Sequence, residues 1–110
     1  MTTQALLQQA KAACPQLAWL GSEEKNQAIY EMADAIIANT DAILAANAED
    51  LCAAQGVISS VMLDRLRLTK DRIAAMADGM RQVAKLPDPV GEILAEVRRP
   101  NGLVIRKTAV

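Results

Sequence analysis

Apolar residues recur at helical spacing along most of the chain, which predicts a succession of short helices. The first, from Thr2 to about Leu20, is rich in Ala, Leu and Gln, all good helix formers. Pro15 lies inside this segment, and proline removes a backbone donor and clashes with the preceding turn. We therefore expect the first helix to end or kink near Cys14, and Gly21 to break the pattern altogether.

The second and third helices are predicted from polar residues that precede apolar stripes. Ser22 is expected to cap the second helix, with Glu23 and Glu24 in the first turn, where negative charge opposes the positive end of the helix dipole. Thr40 or Asp41 is expected to cap the third. The stripes are Ile29, Met32, Ala33, Ile36 and Ile37 in the second helix, and Ile43, Leu44, Asn47 and Leu51 in the third.

Two further helices are predicted before the chain changes character. Gly56 is expected to close the third helix as a C-terminal cap. Ser59 or Ser60 begins a short fourth helix, and Thr69 caps a fifth that Pro87 ends. Their apolar positions are Met62, Leu63 and Leu66 in the fourth helix, and Ile73, Met76, Ala77, Met80, Val83 and Ala84 in the fifth.

The C-terminal residues favour β-structure instead. Two β-prone runs, Ile93–Arg99 and Leu103–Val110, flank Asn101 and Gly102, a pair that favours a type I′ hairpin turn. The sequence thus predicts a mostly α fold with a C-terminal β-hairpin, divided into a helical region (1–92) and the hairpin (93–110). Two strands alone are marginally stable in water, and no turn follows the second strand, so we expect the chain to be a piece of a larger protein.

Composition and charge exclude several classes of function. Twelve Lys and Arg against thirteen Asp and Glu leave a net charge of −1, so the basic surplus typical of nucleic-acid binding is missing. No apolar run approaches the roughly 20 residues of a membrane span, and no basic residue precedes the first apolar stretch, as a secretory signal would require. We expect a cytoplasmic protein without a membrane or nucleic-acid partner.

Candidate chemistry is sparse. The chain has no His, which excludes His-based acid–base catalysis and His-containing zinc sites. Cys14 and Cys52 form no CxxC pattern and are expected to be structural thiols, and no metal site is expected. No GxGxxG or GxxxxGK[ST] phosphate loop is present. A basic cluster near the hairpin is more typical of a protected strand edge than of an anion site; it comprises Arg98, Arg99, Arg106 and Lys107.

Five stretches in a fixed order carry a family resemblance. They read AANAEDL from Ala45, LDRLRLT from Leu63, MADGMRQVA from Met76, LPDPVGE from Leu86 and RPNGL from Arg99. Together they resemble the N-terminal region of gamma-glutamyl phosphate reductases (glutamate-5-semialdehyde dehydrogenases), members of the aldehyde dehydrogenase superfamily. The resemblance covers nearly the whole chain, and LPDPVGE and RPNGL are its most specific parts.

The resemblance implies both a fold and an activity. It places this chain in the N-terminal helical part of an α/β aldehyde dehydrogenase-like fold, whose hairpin starts the oligomerisation sheet of a homo-oligomer. The family reduces L-glutamyl 5-phosphate with NADPH to L-glutamate 5-semialdehyde, in proline biosynthesis, through a cysteine thiolate. That nucleophilic cysteine and the main cofactor-binding segments lie beyond Val110, so we expect no catalytic and no cofactor-binding residue here, and an inactive chain when isolated.

The same resemblance suggests which residues approach the substrate. By analogy with related aldehyde dehydrogenases, the fifth helix flanks the substrate entrance, which makes Arg72, Met76 and Arg81 the substrate-proximal candidates. Helix packing and exposed charge are the competing interpretation of all three. Two alternatives for the whole chain remain open: a stand-alone helical interaction module without catalytic activity, and another member of the aldehyde dehydrogenase superfamily with a different substrate.

Overall fold

Five α-helices followed by a two-stranded antiparallel hairpin make up the computed structural model, which describes residues 1–110. This confirms the predicted fold class. None of the helices has the combination of length and apolar character that a membrane crossing requires. In chain order the elements are α1 (Thr3–Leu17), α2 (Ser22–Ala38), α3 (Thr40–Ala54), α4 (Ser60–Leu66), α5 (Lys70–Ala84), β1 (Ile93–Arg98) and β2 (Val104–Thr108).

The first helix continues past its proline. Thr2 caps α1, its hydroxyl accepting a hydrogen bond from the amide of Ala5 at 3.2 Å. The prediction that α1 ends near Cys14 is wrong, because the helix runs on to Leu17 with Pro15 inside it. Pro15 lies in the last turn, where few backbone bonds remain to be lost, and the amide of Ala18 still bonds the carbonyl oxygen of Cys14 at 3.1 Å.

Hydroxyl caps begin α4 and α5 as predicted. The Ser59 hydroxyl accepts from the amide of Met62 at 3.3 Å, and the Thr69 hydroxyl accepts from the amide of Arg72 at 3.1 Å. The end of α3 also follows the prediction, since Gly56 has a φ of 78° just beyond the last helical turn. Each of these caps is formed within the helix terminus itself, so the local sequence is enough to predict it.

The N-caps predicted for α2 and α3 are wrong, since neither Ser22 nor Thr40 nor Asp41 occupies the capping position. Gly21 is the N-cap of α2, and Ser22 is already helical, with its hydroxyl directed to another segment. Asn39 alone separates α2 from α3. The Thr40 hydroxyl therefore lies beside the last carbonyls of α2 and donates to that of Ile37 at 2.7 Å instead of accepting from α3.

The core of the molecule is the packing of α2 against α5. Ala33 from α2 and Ile73 and Ala77 from α5 are fully buried, and the two alanines allow the helices to approach closely. Beyond this contact, burial is incomplete. Met32, Met76 and Val83 were expected in the apolar stripes but are about half exposed, because no further element packs against their side of the helix pair.

No helix covers either face of the hairpin, and its apolar side chains are about half exposed. Glu96 pairs with Arg106 and Val97 with Ile105, and a bulge interrupts the register between Ile93 and Ala95. The Glu96–Arg106 pair and the Val97–Ile105 pair therefore lie on opposite faces of the hairpin.

The hairpin turn differs from the predicted type I′ turn. No non-glycine residue has a positive φ, whereas a type I′ turn needs one at both central positions. The amide of Gly102 instead bonds the Arg99 carbonyl at 3.0 Å, and the amide of Arg99 bonds the Leu103 carbonyl at 2.7 Å. Pro100 explains the change: a two-residue turn would close through a bond from the amide of residue 100 to the Leu103 carbonyl, and proline has no amide hydrogen. The Arg99 amide makes that bond instead, so the loop has three residues and only Gly102 turns left-handed.

Candidate functional site

Arg72 acts within the chain as a cap for the fourth helix. Its guanidinium donates to the backbone carbonyls of Asp64 and Arg67, both at 2.6 Å, and pairs with the Asp64 carboxylate at 3.4 Å. These carbonyls lie at the C-terminal end of α4, where positive charge is favourable. Arg72 therefore stabilises the C-terminal end of α4.

Arg81 joins the two core helices at the surface. It pairs with Asp34 of α2 at 2.9 Å and with Asp78 of its own helix at 3.1 Å. The pKa of Arg81 is raised above its ordinary value, chiefly by the hydrogen bond to Asp34, so the guanidinium stays charged. Solvent screening makes an exposed pair of this kind a weak contributor to stability.

The three substrate-proximal candidates do not form one site. Residues of an α-helix succeed one another at about 100°, which sets Met76 on the side of Arg72 and places Arg81 on the opposite side of α5. Met76 is 47% exposed and presents an apolar surface to solvent. Of the three, it is the one whose side chain is not already engaged by charge pairs.

Asn47, which was predicted as part of the apolar stripe of α3, is a buried polar residue that joins three segments of the chain. It is 6% exposed. Its carboxamide nitrogen donates to the carbonyl of Leu66 at 2.9 Å, and its oxygen accepts from the amide of Leu68 at 2.8 Å. The side chain thereby holds the connection between α4 and α5 against α3.

A second polar arrangement, the Asp88 cluster, consists of Ser22, Lys25, Asp88 and the backbone amide of Val90. Oδ2 of Asp88 accepts from the Ser22 hydroxyl at 2.8 Å and forms an ion pair with Lys25. Oδ1 accepts from the Val90 amide at 3.0 Å. The Lys25 interaction is the main cause that lowers the pKa of Asp88 from 3.8 to about 2, followed by the bonds from Val90 and Ser22.

This pKa predicts how the cluster responds to acid. Since the folded pKa is depressed, the contribution of Asp88 to stability is fully present above pH 3.8 and is lost as the pH falls towards 2. A carboxyl-carbon NMR titration should give Asp88 a midpoint near 2. The Lys25→Met variant should move the midpoint upward towards 3.8, and a wild-type midpoint already at 3.8 would contradict the cluster.

The remaining groups that could carry chemistry are isolated from one another. Cys14 and Cys52 are both exposed, and the Cys14 thiol donates to the carbonyl of Ala10 in its own helix. No group of His, Cys, Asp or Glu side chains has the arrangement of a metal site. On the hairpin, Arg98 and Arg106 both lie beside Glu96, at 3.4 and 3.8 Å, which neutralises part of the basic cluster.

The residues present do not suit a dinucleotide cofactor. A pyrophosphate requires free backbone amides and positive charge, often at a helix N-terminus that follows a strand. The first turn of α2 carries Glu23 and Glu24, which would repel a phosphate. The two strands are exposed and follow all the helices, so no strand leads into a helix.

Relatives found by sequence and by structure are both gamma-glutamyl phosphate reductases. Gamma-glutamyl phosphate reductases from Streptococcus pneumoniae strains Hungary19A-6 and CGSP14 are each 50% identical to this chain over 110 residues, all of the chain and 26% of the relative. The crystal structure of gamma-glutamyl phosphate reductase from Thermotoga maritima superposes with a TM-score of 0.86 at 34% identity, over 94% of this chain and 26% of that one. The chain aligns with an N-terminal portion of these gamma-glutamyl phosphate reductases.

The yeast enzyme extends this result to a distant relative. Gamma-glutamyl phosphate reductase from Saccharomyces cerevisiae matches with a TM-score of 0.81 at 32% identity, over 96% of this chain and 28% of that one. No protein-family model matches the chain. The chain thus spans about a quarter of the length of the gamma-glutamyl phosphate reductases that it resembles, and the family resemblance inferred from the five stretches is confirmed.

Proposed function

We propose that this chain functions as part of a gamma-glutamyl phosphate reductase, an oxidoreductase that uses NADPH to reduce L-glutamyl 5-phosphate to L-glutamate 5-semialdehyde in cytoplasmic proline biosynthesis. The observation that carries the proposal is 50% identity to such reductases over the whole chain. The fold supports it independently, through the TM-score of 0.86 with the T. maritima enzyme. No observation favours a stand-alone interaction module.

Within that enzyme, the chain supplies scaffold and not chemistry. Both thiols are exposed on helices. Following the family resemblance, we place the nucleophilic cysteine and the segments that bind NADPH in the part of the enzyme beyond Val110. The helical region (1–92) would pack against that part, which would cover the half-exposed apolar side chains of α2 and α5.

The hairpin (93–110) is proposed to begin the oligomerisation sheet of a homo-oligomer. Both edges of a two-stranded hairpin carry unpaired backbone groups, which favours the addition of another strand. Val97 and Ile105 lie opposite each other on a face that also bears the Ala95–Lys107 pair, while Glu96 and Arg106 lie opposite each other on the other face. The apolar Val97–Ile105 pair is the part of the hairpin best suited to burial, and the Glu96–Arg106 pair is best suited to exposure.

The finer placement of Arg72, Met76 and Arg81 near the substrate entrance belongs to this proposal as well. Met76 is the candidate best suited to line an entrance, since its side chain is 47% exposed and its sulfur is polarizable. The two arginines would contribute indirectly. Arg72 holds the end of α4 and Arg81 ties α5 to α2, so each would position the helix that carries Met76.

Activity of the isolated and the complete polypeptide tests the proposal. In the reverse direction, glutamate 5-semialdehyde, phosphate and NADP⁺ give glutamyl 5-phosphate and NADPH, which absorbs in the near ultraviolet. The complete product of the reading frame should form NADPH only when phosphate is present, and the 110-residue chain should form none. NADPH formation by the isolated chain, or none by the complete product, would refute the proposal.

A further inference from the structure

The segment that joins α5 to the hairpin, residues 85–92, makes polar side-chain contacts with α2 at one residue. Asp88 is the only side chain of this segment that bonds a helix, through the Ser22 hydroxyl at 2.8 Å and the ammonium of Lys25. Both partners lie in the first two turns of α2. The segment is therefore tied to α2 as well as to α5, from which it emerges.

The two oxygens of Asp88 serve opposite ends of the junction. Oδ2 binds α2, whereas Oδ1 accepts from the Val90 amide at 3.0 Å. Val90 belongs to the turn that leads into β1: the Glu92 amide bonds the Pro89 carbonyl at 3.2 Å, and Gly91 has a φ of 81°. One carboxylate thus connects the helices to the entry of the hairpin.

The surrounding backbone has little freedom of its own. Pro87 and Pro89 flank Asp88, and each fixes its own φ near about −65°. A proline also restricts the residue before it to extended conformations, which applies here to Leu86 and Asp88. Because so few torsions can rotate, fastening one residue of this segment determines where the hairpin points.

Nothing else fastens the hairpin to the helices. Its strands are exposed along their whole length, and its ion pairs, between Glu96 and the two arginines Arg98 and Arg106, are internal. Its backbone bonds outside the strands also remain within the hairpin or reach only Gly91 and Glu92. Packing contacts join the strands to each other and not, to any comparable extent, to a helix.

We propose that the Asp88 cluster is a hinge clamp that fixes the direction in which the hairpin leaves the helical region. The LPDPVGE stretch has this structural meaning: the two prolines stiffen the segment, the aspartate between them fastens it to α2, and the glycine admits the turn into β1. The clamp follows from the contacts of this chain alone and does not depend on the proposed enzymatic activity.

Distances between two spin labels measure the clamp directly. Cys52 on α3 is a native label site, and a Lys107→Cys substitution places the second label on β2, in a chain whose Cys14 is replaced by serine. Both native thiols and Lys107 are exposed. Dilution with unlabelled chain removes intermolecular distances. With the clamp intact, pulsed electron–electron double resonance should give one narrow distribution of the distance between the two labels.

The decisive variant is Ser22→Ala combined with Lys25→Met, which removes both α2 contacts and leaves the Asp88–Val90 bond in place. Its distance distribution should shift or broaden at unchanged helix content. The matched control is Asp78→Asn, which removes a carboxylate from an ion pair on α5 remote from the junction, and should leave the distribution as it was.

An unchanged distribution in the double variant would overturn the clamp. Should the double variant lose helix content in circular dichroism, Asp88→Ala decides the question instead, since it alters only the connecting segment. A distribution for Asp88→Ala that coincides with that of Asp78→Asn would likewise overturn the proposal.

Discussion

Replacing Asn47 with alanine is expected to lower the free energy of unfolding by about 2 kcal/mol, because two backbone groups lose their partner at once. The carboxamide spans the carbonyl of Leu66 and the amide of Leu68 at 2.9 and 2.8 Å. Alanine can replace neither bond, and at 6% exposure the site leaves little room for water. The connection between α4 and α5 should loosen, which would carry α5 away from α3.

Urea unfolding followed by circular dichroism measures this effect. Gln82→Ala is the matched control, since Gln82 is exposed on α5 and makes no side-chain hydrogen bond; it should change stability by no more than about 0.5 kcal/mol. If Asn47→Ala and Gln82→Ala unfold at the same urea concentration, the bridging role of Asn47 is wrong.

Ile73→Ala is expected to destabilise the chain by about 3 kcal/mol, through lost transfer free energy and the cavity left behind. Ile73 is the largest fully buried side chain, in a core otherwise made of alanines and Asn47. Those small neighbours cannot move inward to fill the space. The contact between α2 and α5 rests on this side chain more than on any other.

A graded series separates burial from helix propensity. Ile73→Val removes one methylene and should destabilise by about 1 kcal/mol. Val83→Ala, on the same helix at 56% exposure, removes apolar atoms that water already reaches and should have a much smaller effect than Ile73→Ala. Equal losses for Ile73→Ala and Val83→Ala would contradict the packing described for α5.

Local chemistry made the helices predictable. Ser59 and Thr69 cap their helices because each hydroxyl meets only the amides of its own first turn. The same rule failed at Ser22 and Thr40, where a second acceptor competes: Asp88 for Ser22, and the end of α2 for Thr40. Competition of this kind depends on how the helices and loops are arranged in the fold, so it cannot be predicted from the few residues on either side of a candidate cap.

The hairpin shows a failure of a different kind. Asn101 and Gly102 alone favour a two-residue turn, but Pro100 before them was a local signal against it, since that turn closes through the amide of residue 100 and proline has no amide hydrogen. Weighing that residue would have favoured the three-residue loop that the structure contains. The existence of the hairpin, by contrast, followed correctly from the two β-prone runs.

The polar arrangements were the least predictable part. Asn47 was placed in the apolar stripe of α3, and its single polar side chain among aliphatic ones was the available sign of a buried hydrogen-bonding role. An aspartate between two prolines was a similar sign for Asp88. Neither sign identifies the partners, because Leu66 and Ser22 reach these side chains only through the fold.

The substrate-proximal candidates rested on the family resemblance and not on the residues themselves. Arg72 and Arg81 are charged, but charged helix residues most often form ion pairs within the protein. Both of these arginines pair with neighbouring carboxylates. Their position relative to a substrate stays a prediction.

The central claim, that this chain is part of a longer reductase, is tested most directly by the intact mass of the native gene product. Since the chain spans 26% of the S. pneumoniae reductases that it matches, we expect a polypeptide about four times as long, continuing beyond Val110 without interruption. A native product that ends at Val110 would contradict the account, because no nucleophile or cofactor site of a reductase would then exist.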